Sequence, residues 1–325
     1  MEKSQQSHRW GILGLGKIAR KMAADLALVP EAKLQAVASR SAKRAQDFAF
    51  EFGAERMYHD YHALCEDPEV DIVYIATPHS FHFEHASLAI EAGKAVLVEK
   101  PMGLNAHQAK ALIEKARAHG VFLMEGIWTR FIPITEKYLE LLKAEIIGPI
   151  KRLSADFGFR PAFNPDHRLF NPDLGGGSLL DIGIYPLYLS LLSLGKADTI
   201  KVSAKMGPSG VDIRCEVELN YPSGAEAHLL SSLEEETPTE ARIIGEKGEI
   251  KLHRRFHHSE LLSLDINQKV REIKLAYRGL GYVHEIEEVH RCLAAGHQES
   301  SKLPLSTSLE LAELLDKVQA QFNNS

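Results

Sequence analysis

Trp10-Gly11-Ile12-Leu13-Gly14-Leu15-Gly16-Lys17-Ile18-Ala19 decides how the first third of this chain folds. An apolar run of strand character leads into Gly14-x-Gly16-x-x-Ala19, and a helix-forming stretch follows. Gly14 allows a tight turn out of the strand. Gly16 removes a side chain so that a pyrophosphate can approach the backbone, and Ala19 is small enough for close helix–sheet packing. Lys17 and Ile18 open the helix, whose free N–H groups and positive dipole end attract an anion. Glycines also mark plain turns. A strand before and a helix after are the context that turns this pattern into a dinucleotide-phosphate loop.

Outward from that loop, short apolar runs alternate with amphipathic stretches. The runs are Trp10–Leu13, Leu34–Ala38, Ile72–Ala76, Ala95–Val98 and Val121–Met124, apolar at nearly every position, as strands buried on both faces of a parallel sheet are. Helix-length segments lie between them at Ile18–Leu28, Ala42–Phe52, Phe83–Ala92 and Ala106–His119, with Gly93 and Gly120 where C-caps belong. Repeated β-α-β predicts an α/β doubly wound parallel sheet of the Rossmann type. After residue 126 the rhythm changes. A Pro/Asn/Gly-rich loop, Asn164 to Gly177, precedes a helix over Ser178–Leu194. Strand signals follow at Lys201–Met206, Val211–Asn220, Ala225–Leu233, Ala241–Ile244, Glu249–Leu252 and Leu261–Ile266. Serial hairpins predict an α+β second domain with a largely antiparallel open sheet, closed by helices at Val283–Ala295 and Ser306–Gln321. The expected division is 1–125 for dinucleotide binding and 126–325 for substrate binding and oligomerisation. A length of 325 residues suits about two domains of roughly 150 residues.

Composition narrows the classes. Hydrophobic residues make up 45% and charged residues 25%, near globular averages, which argues against disorder, collagen and coiled coil. A net charge of −6 argues against nucleic acid as the main partner. No apolar run is read as approaching the roughly 18 residues that span a bilayer, and the polar N-terminus carries no hydrophobic signal core. Cys65, Cys215 and Cys292 are far apart and odd in number, so a reduced, cytoplasmic protein without a disulfide framework is expected.

The end of the second strand bears on cofactor choice. An NAD site places an acid there to accept from the ribose 2′-hydroxyl. This chain has Val37-Ala38-Ser39-Arg40 and no acid until Asp47. Ser39 and Arg40, with Arg44 one helical turn on, suit a 2′-phosphate, so NADP is expected over NAD. Val96-Leu97-Val98-Glu99-Lys100-Pro101 ends another buried strand, and ligands of open α/β sheets bind beyond such carboxyl ends.

Read together, several stretches resemble the Gfo/Idh/MocA family of NAD(P)-dependent oxidoreductases over nearly the whole chain. They are the phosphate loop, Ala76-Thr77-Pro78 with His82, Ala92-Gly93-Lys94, Glu99-Lys100-Pro101, and Gly175-Gly176-Gly177-Ser178-Leu179-Leu180-Asp181-Ile182-Gly183-Ile184-Tyr185. Met124–Phe131 and His167-Arg168-Leu169-Phe170 look like the dihydrodiol dehydrogenase branch, which includes NADP-linked xylose dehydrogenases. Much of the family has Asp-x-x-x-His in the second domain; Tyr185 stands at the fifth position here, as in these branches.

The resemblance implies Tyr185 as general acid/base, Lys100 as its electrostatic partner and a substrate ligand, and Asp181 as an orienting or substrate-binding carboxylate. It implies further cofactor contacts from Thr77, Pro78, His79, His82, Glu99 and Lys100, and a homodimer through the outer face of the second-domain sheet. Residue chemistry agrees with the pair. Asp181 and Tyr185 are four apart on a predicted helix and share a face. A nearby ammonium lowers a phenol pKa from its usual value near 10 towards a working range. Trp128 and Arg160 are candidate substrate contacts. His79, His82 and His85 form HxxHxxH, whose helical spacing fans the imidazoles out, and no metal is expected. His253, His257 and His258 read as a solvated loop.

The expected activity is hydride transfer between NADP(H) and a secondary alcohol or carbonyl of a sugar or trans-dihydrodiol. Membranes are not expected as partners. The alternatives are a glucose–fructose-type oxidoreductase with a retained nicotinamide, a non-catalytic NADP-sensing regulator, and a hydrolase using the nicotinamide transiently.

Overall fold

A computed structural model describes residues 7–322, and its contacts divide them into two compact units. One runs through Trp128 and resumes over Tyr277–Leu309; the other holds Thr129–Ala276 and the chain from Glu310 onward. The return of 277–309 to the first unit is absent from the sequence-based division at 125/126.

The first unit runs β1 (His8–Leu13), α1 (Lys17–Leu26), β2 (Ala32–Ala38), α2 (Ala42–Phe52), β3 (Arg56–Tyr58), α3 (Tyr61–Glu66), β4 (Ile72–Ile75), α4 (His82–Glu91), β5 (Ala95–Glu99), α5 (Ala106–His119) and β6 (Leu123–Gly126). Its six strands are parallel in the order β3-β2-β1-β4-β5-β6, the doubly wound sheet that the alternating pattern predicts. β4 and β5 are buried at every position, which is why they read as unbroken apolar runs. β3 and α3 escape the sequence reading because β3 is a three-residue edge strand with Arg56 and Met57 exposed. The order reverses between β1 and β4, where such sheets bind ligands beyond the strand ends.

The second unit opens with α6 (Pro133–Lys143) and β7 (Ile150–Gly158). A π-helical turn, Leu179–Gly183, leads into α7 (Ile184–Leu194). Then come β8 (Thr199–Met206), β9 (Asp212–Asn220), β10 (Glu226–Ser232), β11 (Ala241–Gly245), β12 (Gly248–Leu252), β13 (Leu261–Ile266) and β14 (Lys269–Lys274). Eight strands line up as β14-β13-β12-β11-β7-β10-β9-β8; β7 and β10 run parallel, and the other pairs are antiparallel. Period-two burial sorts the side chains. Cys215, Val217, Leu219, Ala227 and Leu229 are buried, whereas Glu216, Glu218, Glu226 and His228 are exposed. Ser231, on the buried side of β10, touches the π turn through Ser178. The apolar alternation of β9 and β10 therefore faces the helices. The other face is charged, with pairs such as Lys201–Glu218 and Arg242–Glu249.

The chain closes with α8 (Val283–Ala294) and α9 (Leu305–Gln319). Asp25 of α1 is 1% exposed and explains the return to the first unit. Its carboxylate accepts the N–H groups of Leu280 and Tyr282 at 2.8 Å and of Val283 at 3.2 Å, capping the start of α8. The stretch 172–194 is helical without a break only from Ser178, because the 3-10 turn Pro172–Leu174 ends at a left-handed Gly175 and Gly177 has φ +117°. It passes for a membrane span by length and composition alone, and 78% of its apolar window is buried, as in a core helix.

Candidate active site

At the carboxyl end of β1 the chain is tied to both neighbouring strands. Gly14 N–H donates to Ala38 C=O at 3.1 Å, and Ala76 N–H donates to Leu13 C=O at 2.8 Å. Gly14 has φ +86°, and a Cβ there would lie 2.9 Å from the Ala76 carbonyl, so a side chain is excluded twice over. Gly16 differs. Its backbone is extended, it is the N-cap of α1, and an added Cβ would meet nothing within 4 Å. The N-cap offers no side-chain hydrogen bond to α1 and no acid occupies its first turn. Lys17 and Ile18 open the helix there, Lys17 exposed and Ile18 half-buried.

Ser39 ends β2 with its side chain buried, and Arg40 beyond it is exposed. The Arg40 guanidinium lies 6.0 Å from the centroid of the Phe81 ring, and Phe81 stacks on His85. Arg44 is exposed in the first turn of α2. This corner is cationic and aromatic, and its nearest downstream acid, Asp47, is paired with Lys43.

The loops after β4 and β5 are joined by His82. Its Nε2 lies 2.8 Å from Thr77 C=O and its Nδ1 2.7 Å from Pro101 C=O. Burial depresses its pKa to about 4, with Lys100 and His85 adding to the fall, although both carbonyls favour the cation. Both His82 nitrogens face carbonyl acceptors, so the two bonds form together only on the imidazolium; the neutral ring that burial favours donates to one of the two loops at a time. His85 Nδ1 bonds the Thr77 hydroxyl at 3.0 Å, so the HxxHxxH imidazoles serve the loop. Thr77 and His79 are buried and Pro78 is half-buried. Glu99 accepts the Tyr74 hydroxyl and is buried, as is Lys100. Trp128 stacks on Tyr282 from the returning segment, centroids 4.7 Å apart and planes within 7°.

In the second unit, Asp181 lies in the π turn and Tyr185 in the first turn of α7. A π turn interrupting a helix is a frequent mark of a functional site. Arg168 Nη1 donates to Asp181 Oδ1 at 2.7 Å, so the carboxylate is held from the preceding loop. The Tyr185 ring packs 4.8 Å from that of His257 and 5.9 Å from Phe157, while Phe157 stacks on His257 at 4.4 Å. His257 is 6% exposed. Reading His253, His257 and His258 as a solvated loop is therefore wrong for His257; the following strand folds it back against Tyr185. Arg160 is exposed just past β7.

The π turn itself is anchored by Asp212, 4% exposed, which accepts Ser178 Oγ at 2.7 Å and Leu179 N–H at 2.8 Å. Gly177 has φ +117°, and a Cβ there would run into the Asp212 carboxylate, which accounts for the last glycine of the triplet. Asp212 was missed in the sequence because it sits at the start of a strand some 30 residues downstream of the glycines, where an acid reads as a turn residue.

Two family descriptions match the chain. An NAD-binding Rossmann-fold oxidoreductase domain covers residues 8–127, and a GFO/IDH/MocA C-terminal domain covers 135–251. The chain belongs to the Gfo/Idh/MocA family of oxidoreductases. It is 36% identical over 323 residues to the trans-1,2-dihydrobenzene-1,2-diol dehydrogenase of Mus musculus, 96% of each chain being covered. It is 33% identical to the D-xylose 1-dehydrogenase (NADP(+)) of Hypocrea jecorina, covering 96% of this chain and 91% of that one. Among solved structures it is similar to a 3-ketoreductase from Actinomadura kijaniata in complex with NADP and TDP-benzene. That match has a TM-score of 0.87 at 27% identity and covers 97% and 98% of the two chains.

The first unit fits the dinucleotide of this Gfo/Idh/MocA oxidoreductase. Open space beside Gly16 and an uncapped helix start are what a pyrophosphate needs, and Arg40 and Ser39 suit a ribose phosphate.

Proposed function

We propose that this chain is an NADP-dependent dehydrogenase/reductase acting on a secondary alcohol or carbonyl of a sugar or trans-dihydrodiol, with Tyr185 as acid/base and Lys100 assisting. The observation that carries this reading is the setting of Tyr185. It is half-buried against Phe157 and His257, at the head of a helix whose π turn carries Asp181 and is pinned by Asp212. The relatives named for diol and xylose dehydrogenation support the substrate class, and the NADP in the xylose dehydrogenase's name supports the cofactor.

Bound NADP(H) supplies or accepts the hydride. Gly16 and the N–H groups of Lys17 and Ile18 would hold its pyrophosphate, Ser39, Arg40 and Arg44 its 2′-phosphate, and Thr77, Pro78, His79, His82, Glu99 and Lys100 would supply its remaining contacts. In oxidation Tyr185 Oη takes the hydroxyl proton, and in reduction it returns one. Lys100 stabilises the phenolate by its charge. Asp181, kept in place by Arg168, accepts a substrate hydroxyl, and Phe157 offers an apolar wall to a sugar or diol ring. Trp128 and Arg160 complete the substrate contacts.

Tyr185→Phe tests this. Turnover should fall by about 10²–10⁴, the scale of general acid–base catalysis, with NADP affinity nearly unchanged. Near-full activity with unchanged pH dependence on the best substrate of a sugar and diol panel would make Tyr185 a packing residue. A cytoplasmic homodimer completes the proposal. The free, buried cysteines support the compartment, and the dimer rests on the family resemblance alone.

A further inference from the structure

Lys100 sits in a turn whose backbone is gripped from two sides. His82 holds Pro101 C=O, and Glu125 Oε1 accepts the Met102 N–H at 2.8 Å. Glu125 lies in β6 opposite Val98 of β5, is 2% exposed, and its Oε2 makes no hydrogen bond among the described residues. A carboxylate so placed is expensive to ionise. Burial pushes the Glu125 carboxyl up to about 7. Ser308, the Met102 N–H and the Lys100 ammonium oppose the rise, and Glu99 adds to it. Those are the groups facing it: Ser308 from α9, Glu99 and Lys100 from the end of β5, and Met102 from the turn. Glu285 of α8 is also fully buried and bonded through neither oxygen, and burial and the charges of Glu99 and Asp25 push it well above the usual carboxylate range.

We propose that Glu125 is a positioning residue for Lys100, holding the Lys100–Met102 turn in both of its charge states and placing a negative charge near the lysine in one of them. The proposal rests on the reading that Lys100 assists proton transfer. A neutral Glu125 leaves the ammonium's field at full strength. An ionised Glu125 offsets part of that field and weakens the stabilisation of an emerging phenolate. Passage through neutrality therefore tunes the oxidation step without moving the backbone, because Oε1 accepts from Met102 whether or not the group is charged.

The test compares wild type, E125Q, E125A and K100M in steady-state oxidation of the best substrate at saturating NADP, from about pH 5.5 to about pH 8.5, a span bracketing the titration. E125Q keeps an acceptor for Met102 but cannot ionise. The ratio of wild-type to E125Q kcat should be near unity at the acid end. It should fall by about three- to tenfold as pH rises through 7, a coupling of up to one pKa unit. E125A loses the grip as well, and its kcat should lie about two- to tenfold below that of E125Q at every pH, the scale of one lost neutral hydrogen bond. The infrared band of a buried protonated carboxyl should be present in wild type at acid pH, fade through neutrality, and be missing in E125Q, which reads the titration should E125A fail to fold. A flat ratio with an inactive K100M overturns the role of Glu125 alone. A fully active K100M overturns the reading beneath it.

Discussion

Gly16 separates folding from cofactor binding more cleanly than any other residue in the phosphate loop. Its φ of −85° and ψ of −169° are open to any residue, and a Cβ there meets nothing within 4 Å. Gly16→Ala should therefore leave the fold intact, the gain of about 0.4–1 kcal/mol from a restricted unfolded chain being offset by alanine's poorer fit at an N-cap. The same methyl stands where the start of α1 must be approached by a pyrophosphate. Loss of one charge-assisted hydrogen bond, about 1.5–3 kcal/mol, weakens NADP binding by roughly 10- to 100-fold, and Gly16→Val should do more. Gly14→Ala is the counter-case. With φ +86° and a contact of 2.9 Å to the Ala76 carbonyl, it should cost about 1–3 kcal/mol of stability. Thermal melts and NADPH fluorescence titration measure the two effects independently. Wild-type NADP affinity in Gly16→Ala, or a lowered melting temperature with affinity retained, would refute the assignment of the loop.

Arg40→Ala should weaken NADP by about 10- to 100-fold, the size of one charged hydrogen bond, and leave NAD nearly unaffected. Equal losses in paired titrations would remove Arg40 from the 2′-phosphate site. If the charged face of the second sheet is an interface, sedimentation at micromolar concentration should give twice the monomer mass, and raised salt should shift the equilibrium towards monomer because exposed ion pairs are screened. A monomer at low salt would dismiss the dimer.

Much of the chemistry was legible because it is local. A phosphate loop needs its glycines, strand and helix within about ten residues, and here they are consecutive. Ser39 and Arg40 sit at a strand end whose position follows from the same pattern. Asp181 and Tyr185 are neighbours by helical spacing, although the turn between them is π-helical. Short or exposed elements were less visible. β3, α3 and β14 bury too little apolar surface to imprint a periodicity.

What the sequence by itself determined is the β-α alternation of the first unit, its parallel sheet and the cofactor class, since burial on two faces and glycine spacing are written in adjacent residues; α6 and the central strand β7 left no such mark. Tertiary structure alone decided which distant side chains serve those local motifs. Asp212 braces the π turn from β9, His257 packs on Tyr185 from beyond β12, and Glu125 and His82 grip the Lys100 turn from neighbouring elements. Asp25 likewise draws the residue 280–283 backbone back onto α1. Each is a buried polar group, and a buried polar group must find a partner wherever the fold supplies one. That partner is chosen by proximity in space, which no spacing along the chain encodes.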